Sequence, residues 1–141
     1  MLVRLLYASR ADAVTPEVID AILAQCRAHN PARGITGILC HGGDVFMQVL
    51  EGGRDTVSRL YQDILRDGRH RDVVLLHYEE ITERRFSGWT MGQVNLARIN
   101  PSIVLKYSER PVLDPFAVSG QASMAMLEEL IATASIVGRT G

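Results

Sequence analysis

The sequence predicts an α+β chain: a ferredoxin-like five-stranded mixed sheet with two helices on one face and C-terminal helices on the other. Three observations carry this. Short apolar runs of strand length and two amphipathic stripes of helical period follow one another as βαββαβ, with one more strand after them. Glycine and proline punctuate the joins. The final stretch carries an apolar arc wider than a helix with one solvent face needs, which suits the open side of such a sheet or another subunit. At 141 residues with 47% hydrophobic content, the chain has material for one core but not for two ordinary domains.

Residues 2–9 read as the first strand, with Val3, Leu5 and Tyr7 on one face because strand side chains alternate. Thr15 followed by Pro16 is a helix start: the hydroxyl can cap free amides, and proline suits the first helical position. Val18, Ile19, Ile22, Leu23 and Cys26 form its apolar stripe, and Asn30 before Pro31 is expected to end it. Residues 35–41 and 45–50 are two strands joined by Gly42, Gly43 and Asp44, the composition of a hairpin turn. Val57, Leu60, Tyr61, Ile64 and Leu65 define the second helix, which stops at Gly68. Residues 73–78 read as the fourth strand. Residues 86–94 read as the fifth, with Trp89 and Met91 on one face. Residues 96–115 contain three prolines and read as a connector with a short helix near Ile103. Met124, Met126, Leu127, Leu130, Ile131, Ala134 and Ile136 mark the terminal helix.

Charge and composition exclude several classes. Fifteen basic and sixteen acidic residues give a formal charge of −1, so there is no electrostatic footprint for nucleic acid or an anionic membrane. The opening residues are interrupted by Arg4, which fits neither a signal peptide nor a spanning helix, and a cytoplasmic location is expected. Cys26 and Cys40 stand apart and form no metal-ligand pattern, so both are expected to be reduced core thiols and no metal is expected.

Gln48 is the oddest residue, a primary amide in the middle of a strand between Phe46 and Leu50 on the inward face. Buried there, its donors and acceptor need polar partners. A backbone group or a buried water would serve, and an inward Tyr7 is ordinarily core. Asn30 taken alone is a turn former ahead of Pro31. As a set, Tyr7, Asn30 and Gln48 converge on a slot between the two helices and suit a flat ligand that alternates donors and acceptors, such as the edge of an isoalloxazine ring.

The residues that extend this set are Tyr7 with Ser9, His29-Asn30, Gly34-Ile35-Thr36-Gly37-Ile38-Leu39, Phe46-Met47-Gln48-Val49-Leu50-Glu51-Gly52, Asp67 through His70, and Arg85-Phe86-Ser87-Gly88-Trp89-Thr90-Met91. In this order they resemble a BLUF domain, the blue-light sensor that uses FAD, over roughly residues 2–94. The resemblance implies a flavin-binding domain over residues 1–96 and a connector and helical extension over 97–141, packed on the sheet or on a partner. It implies non-covalent FAD, with Gln48 as the switching amide beside the ring, Tyr7 as its hydrogen-bond, electron and proton donor, and Asn30 on the polar edge. Ile22 and Ile64 sandwich the ring, and Asp67, Arg69 and His70 lie near the ribityl chain and phosphates. His29 stands where many relatives have a second asparagine, and Asp63 where they have a basic residue. Light is expected to leave Gln48 rotated or tautomerised, with Trp89 and Met91 relaying the change.

The resemblance implies a receptor, not an enzyme, and without an output domain in sight its signal is expected to leave through a downstream protein partner or a homo-oligomer. Competing readings are a small hydrolase on the same fold, with Arg33 and Asn30 cradling phosphate, a flavin-dependent reductase, and a pure dimerisation module. Gly34 leads into a strand and opens no helix, which weakens the hydrolase, and Gln48 fills the space a reductase needs for substrate.

Overall fold

A computed structural model describes residues 1–12 and 14–133; Ala134 and Ile136 of the expected terminal arc lie outside them. The elements are β1 (Leu2–Arg10), α1 (Pro16–Arg33), β2 (Thr36–Gly42), β3 (Val45–Gly53), α2 (Arg54–Arg66), β4 (Arg71–Ile81), β5 (Gly92–Asn95), a 3-10 turn (Leu96–Arg98), α3 (Pro101–Tyr107) and α4 (Gly120–Ala132). The sheet order is β4-β1-β3-β2-β5. The first four strands are antiparallel to their neighbours and β5 runs parallel to β2, giving the mixed ferredoxin-like sheet that the sequence predicts.

The period-two pattern sorts the core into two layers. Val3, Leu5, Tyr7, Leu39, Phe46 and Leu50 face α1 and α2, where they meet Ile19, Ile22, Leu23 and Val57. Leu6, Ile38, Cys40, Met47 and Val49 face the other way and are covered by Met124, Met126, Leu127 and Leu130 of α4. Each large side chain withdrawn from water in this way contributes about 1.5–3 kcal/mol before its ordering cost. The wide apolar arc of α4 is therefore spent on the chain's own sheet.

Two expectations need correction. The first helix does not end at Asn30. It continues through Pro31 to Arg33, where Gly34 at φ 67° closes it with its N–H on the Asn30 and Pro31 carbonyls. Proline removes one donor from the ladder, but one turn from the helix end that loss is small beside the glycine cap. Asn30 thus remains helical and lies two turns on from Ile22 and one from Cys26, on the same row.

The second correction concerns the last strand. It covers only Gly92–Asn95, and residues 82–91 are neither helix nor ladder. The alternation that would put Trp89 and Met91 on one face therefore does not hold. Met91 packs in the layer of α1 and α2, whereas Trp89 packs with Phe86 and α4 on the opposite side.

Candidate functional site

The chemistry concentrates in a cleft of about 180 Å³ between α1 and α2 whose floor is the sheet. From α1, Ile22, Cys26 and Asn30 on one row and Gln25, His29 and Arg33 on the next reach it, and α2 contributes Leu60, Asp63 and Ile64. Asp67, Arg69 and His70 from the α2–β4 turn close one side, and Tyr7 and Gln48 form the floor. The nine expected cofactor contacts (Tyr7, Ile22, His29, Asn30, Gln48, Ile64, Asp67, Arg69 and His70) all line this one cleft. Larger open grooves of about 620 and 690 Å³ lie beside β5 and under residues 106–122, and neither contains the Tyr7–Gln48 pair.

Tyr7 and Gln48 are register partners across β1 and β3, so their side chains rise side by side from one face. The Tyr7 hydroxyl donates to Gln48 Oε1. Tyr7 is completely buried, and burial foremost holds its phenol well above the usual range; Cys26 and Asp67 push the same way. It stays protonated and remains a donor. Among the described residues the Gln48 amide nitrogen meets only sulfur, Met91 Sδ at 3.4 Å and Cys26 Sγ at 3.9 Å. Sulfur is a weak acceptor, so this N–H keeps capacity for a better one.

Asn30 makes the same point more sharply. The residue is 2% exposed. Its side-chain nitrogen sits near the Cys26 thiol without closing a hydrogen bond of ordinary geometry. A buried amide N–H without a good acceptor is costly, and it lines the cleft. Asn30 and Gln48 thus offer donors into a slot bounded by Ile22 and Ile64, which fits a flat ring with acceptor atoms along one edge.

The outer side is polar. Arg69 binds Asp67 through Nε at 3.0 Å and NH2 at 2.6 Å, and NH2 also reaches Gln25 Oε1 at 2.9 Å. The Arg69 hydrogen bond holds the Asp67 carboxyl below its usual range. His70 Nδ1 is 2.8 Å from Ser9 Oγ, and its ring lies 5.2 Å from that of Phe46. Burial lowers its pKa, so the ring is neutral near pH 7. His29 and Asp63 are exposed on the rim.

Gln25, Cys26 and Leu60 line the cleft in addition to the residues the sequence points to. The signal was available, since Cys26 lies one turn from both Ile22 and Asn30. Among the described residues no group of three His, Cys, Asp or Glu side chains is placed to hold a metal, and no helix is long and apolar enough to cross a membrane.

A two-layered ferredoxin-like sheet with donor amides at the floor of an inter-helical slot defines a small domain that binds a flat heteroaromatic ligand. A family model for BLUF, sensors of blue light using FAD, matches residues 2–92, and the chain belongs to that family. Its cofactor is FAD. The beta subunit of a photoactivated adenylate cyclase from Euglena gracilis is 39% identical over 74 residues, 52% of this chain and 9% of that protein. The blue light- and temperature-regulated antirepressor BluF of Escherichia coli is 33% identical over 87 residues, 61% of this chain and 22% of that protein. The chain thus spans about a tenth of the cyclase subunit's length and about a fifth of the antirepressor's. Among solved structures, BlsA in its photo-activated state superposes with a TM-score of 0.83 at 29% identity, covering 100% of this chain and 99% of that one. BlrB, a BLUF protein in its dark state, gives 0.78 at 32% identity, covering 94% and 96%.

Proposed function

We propose that the chain is a blue-light photoreceptor in which Tyr7 and Gln48 form the switch, and that its output is a contact with a downstream protein or with further copies of itself. The observation that carries this is the buried Tyr7–Gln48 hydrogen bond at the floor of the cleft, with the Gln48 nitrogen turned to two sulfurs. FAD, when bound, supplies the absorber of blue light and the acceptor for an electron. Ile22 and Ile64 would flank the ring, Asn30 and Gln48 would serve its polar edge, and His29, Asp67, Arg69 and His70 would meet the ribityl chain and phosphates.

The residues then do three things. Tyr7 holds a proton on its hydroxyl, and its burial keeps water from competing for the Gln48 carbonyl. Gln48 either rotates, which exchanges the two ends of its amide, or tautomerises, which moves a proton from its nitrogen to its oxygen. Met91 feels the result. Its sulfur receives the Gln48 N–H at 3.4 Å; a rotated amide would turn an oxygen lone pair toward that sulfur, and a tautomerised one would leave a nitrogen with one proton fewer there, and either change weakens the contact and displaces Met91. Trp89, two residues earlier and on the α4 face, would carry the displacement to the other layer. The connector and extension expected over residues 97–141 include α4, which covers the sheet and would receive the signal.

An absorption spectrum of the purified FAD-loaded chain before, during and after blue illumination tests the reading. A small red shift that recovers in darkness supports it, and a chain that takes up no added FAD rejects it. Gln48→Leu should keep the flavin and lose the shift; a normal shift would remove Gln48 from the switch. Light-dependent elution on size exclusion, alone and with candidate partners, reads out the contact.

A further inference from the structure

Glu51 is a charge where none is expected: its residue exposure is 0%, and it lies on the α4 face of the sheet, three residues along β3 from Gln48. Arg4, its register partner on β1, supplies the countercharge through Nε at 2.8 Å and NH2 at 2.7 Å. Arg4 also pairs with Glu79 of β4. An ion pair would need no more. Yet Glu51 also accepts two consecutive backbone amides, Arg85 N–H at 3.0 Å and Phe86 N–H at 2.7 Å. Its own carbonyl accepts from Arg84 NH1 at 3.4 Å, which also bonds Thr36 Oγ1 at 2.9 Å.

These amides belong to residues 82–91, which have no regular ladder of their own. The segment is held at its far end by Gly37 N–H on the Trp89 carbonyl at 3.0 Å and by Arg27 on the Met91 carbonyl at 3.2 Å, and it ends beside Gln48. At its near end the Arg85 side chain leaves the anchor and binds Glu128 of α4 at 3.0 Å. One strand therefore carries the switching amide on one face and the anchor of the responding segment on the other. Charge-assisted bonds to two successive amides are strong and directional, so this point of the segment is fixed to β3.

We propose that Glu51 is a positioning residue for signal output, the fulcrum that makes residues 84–91 a lever between Gln48 and α4. This rests on the photoreceptor reading above. A push on Met91 works against the Arg27 and Gly37 bonds at the far end, and because the segment cannot slide past Arg85 and Phe86 it turns about that pin and moves the Arg85–Glu128 contact on α4. Without the pin, the same push is absorbed within residues 86–90.

The test uses the full FAD-loaded chain and two readouts, the light-induced absorption shift and the light-minus-dark difference in hydrogen exchange over residues 120–132. Glu51→Asp keeps the charge opposite Arg4 but draws the carboxylate back from the amides. Arg85→Gln keeps the amide donated to Glu51 and removes the cation from an exposed pair, so it folds even where the buried variant does not. Both variants should retain the absorption shift and lose the exchange difference on α4. A merely structural Glu51 would raise exchange equally in dark and light and leave the difference intact, which overturns the proposal. So does an unchanged difference in Arg85→Gln, or a wild-type chain that shifts its absorption with no response on α4. A wild-type chain with no absorption shift contradicts the photoreceptor reading itself.

Discussion

Tyr7 and Gln48 face each other across β1 and β3 as register partners, and the phenol donates to the amide carbonyl within a buried floor. The direction of that bond follows from chemistry: burial holds the proton on Tyr7, so the hydroxyl is the donor and the carbonyl the acceptor. It leaves the Gln48 N–H to Met91 and Cys26. The pair therefore has one saturated end and one that is not, the asymmetry a reversible amide switch requires.

Tyr7→Phe removes the donor and leaves a buried carbonyl unmet. We expect the flavin-free chain to lose about 1–3 kcal/mol of stability, the usual cost of an unsatisfied buried acceptor. The FAD-loaded variant should bind cofactor and show no ordinary light-induced shift. Urea unfolding and difference spectroscopy read the two effects; an unaltered photocycle would exclude Tyr7 as the donor.

Asn30→Ala separates ligand binding from folding. Its side-chain nitrogen closes no good hydrogen bond among the described residues, so its loss should change the stability of the flavin-free chain by less than about 1 kcal/mol. Affinity for FAD should fall by about 10- to 100-fold if that N–H serves the ring. Equilibrium dialysis against FAD and a melting curve without it provide the comparison. Unchanged affinity would mean that the amide does not face the cofactor.

Much of this site was legible in the sequence, and the rest was not, for physical reasons. Local patterns carry the elements: Thr15-Pro16 starts α1, Gly42-Gly43 turns the hairpin, and the inward place of Gln48 follows from alternation with Phe46 and Leu50. Register is non-local, and nothing local states that Tyr7 lies opposite Gln48. Residues 86–91 looked like a strand, but Glu51 and Gly37 take their backbone groups instead of a continuous ladder, and this sends Trp89 and Met91 to opposite layers. Arg4 reads in the sequence as an interruption of an apolar run. Its parity with Leu6, and that of Glu51 with Val49, would have placed two opposite charges on one buried face.

His70 makes stability pH-dependent. Burial lowers its pKa below the ordinary 6.5, against a smaller opposing effect from Asp67 and with a further lowering from Arg69. Above that ordinary value neither folded nor unfolded chain is protonated there, and the contribution is complete. As pH falls through it, the unfolded chain binds a proton that the folded one refuses, so stability drops until the folded pKa is passed. His41, lowered by burial as well, acts in the same direction. Asp67, whose pKa lies below its ordinary 3.8, stays ionised over this window. The melting temperature of the flavin-free chain should therefore decline from about pH 7.5 to about pH 5.5. The decline should be shallower in His70→Gln, and an equal slope in both would clear His70.

Gly120 opens α4 directly against the β4 backbone. A Cβ built there would lie 1.9 Å from the Leu76 carbonyl oxygen and 2.6 Å from its carbon, and neither belongs to a side chain that can turn away. Gly120→Ala must therefore lift the start of α4 or displace β4, where the ladder with β1 is already irregular between Leu6 and Tyr7. A cost of about 1–3 kcal/mol or more is expected from such overpacking. Because α4 covers the layer opposite the cleft, the variant should still take up FAD and shift its absorption in light, while exchange over residues 120–132 rises in darkness. Wild-type stability and protection in this variant would mean that α4 is not seated on the sheet through Gly120. Loss of FAD binding would mean that the two layers are coupled more tightly than their separate cores imply.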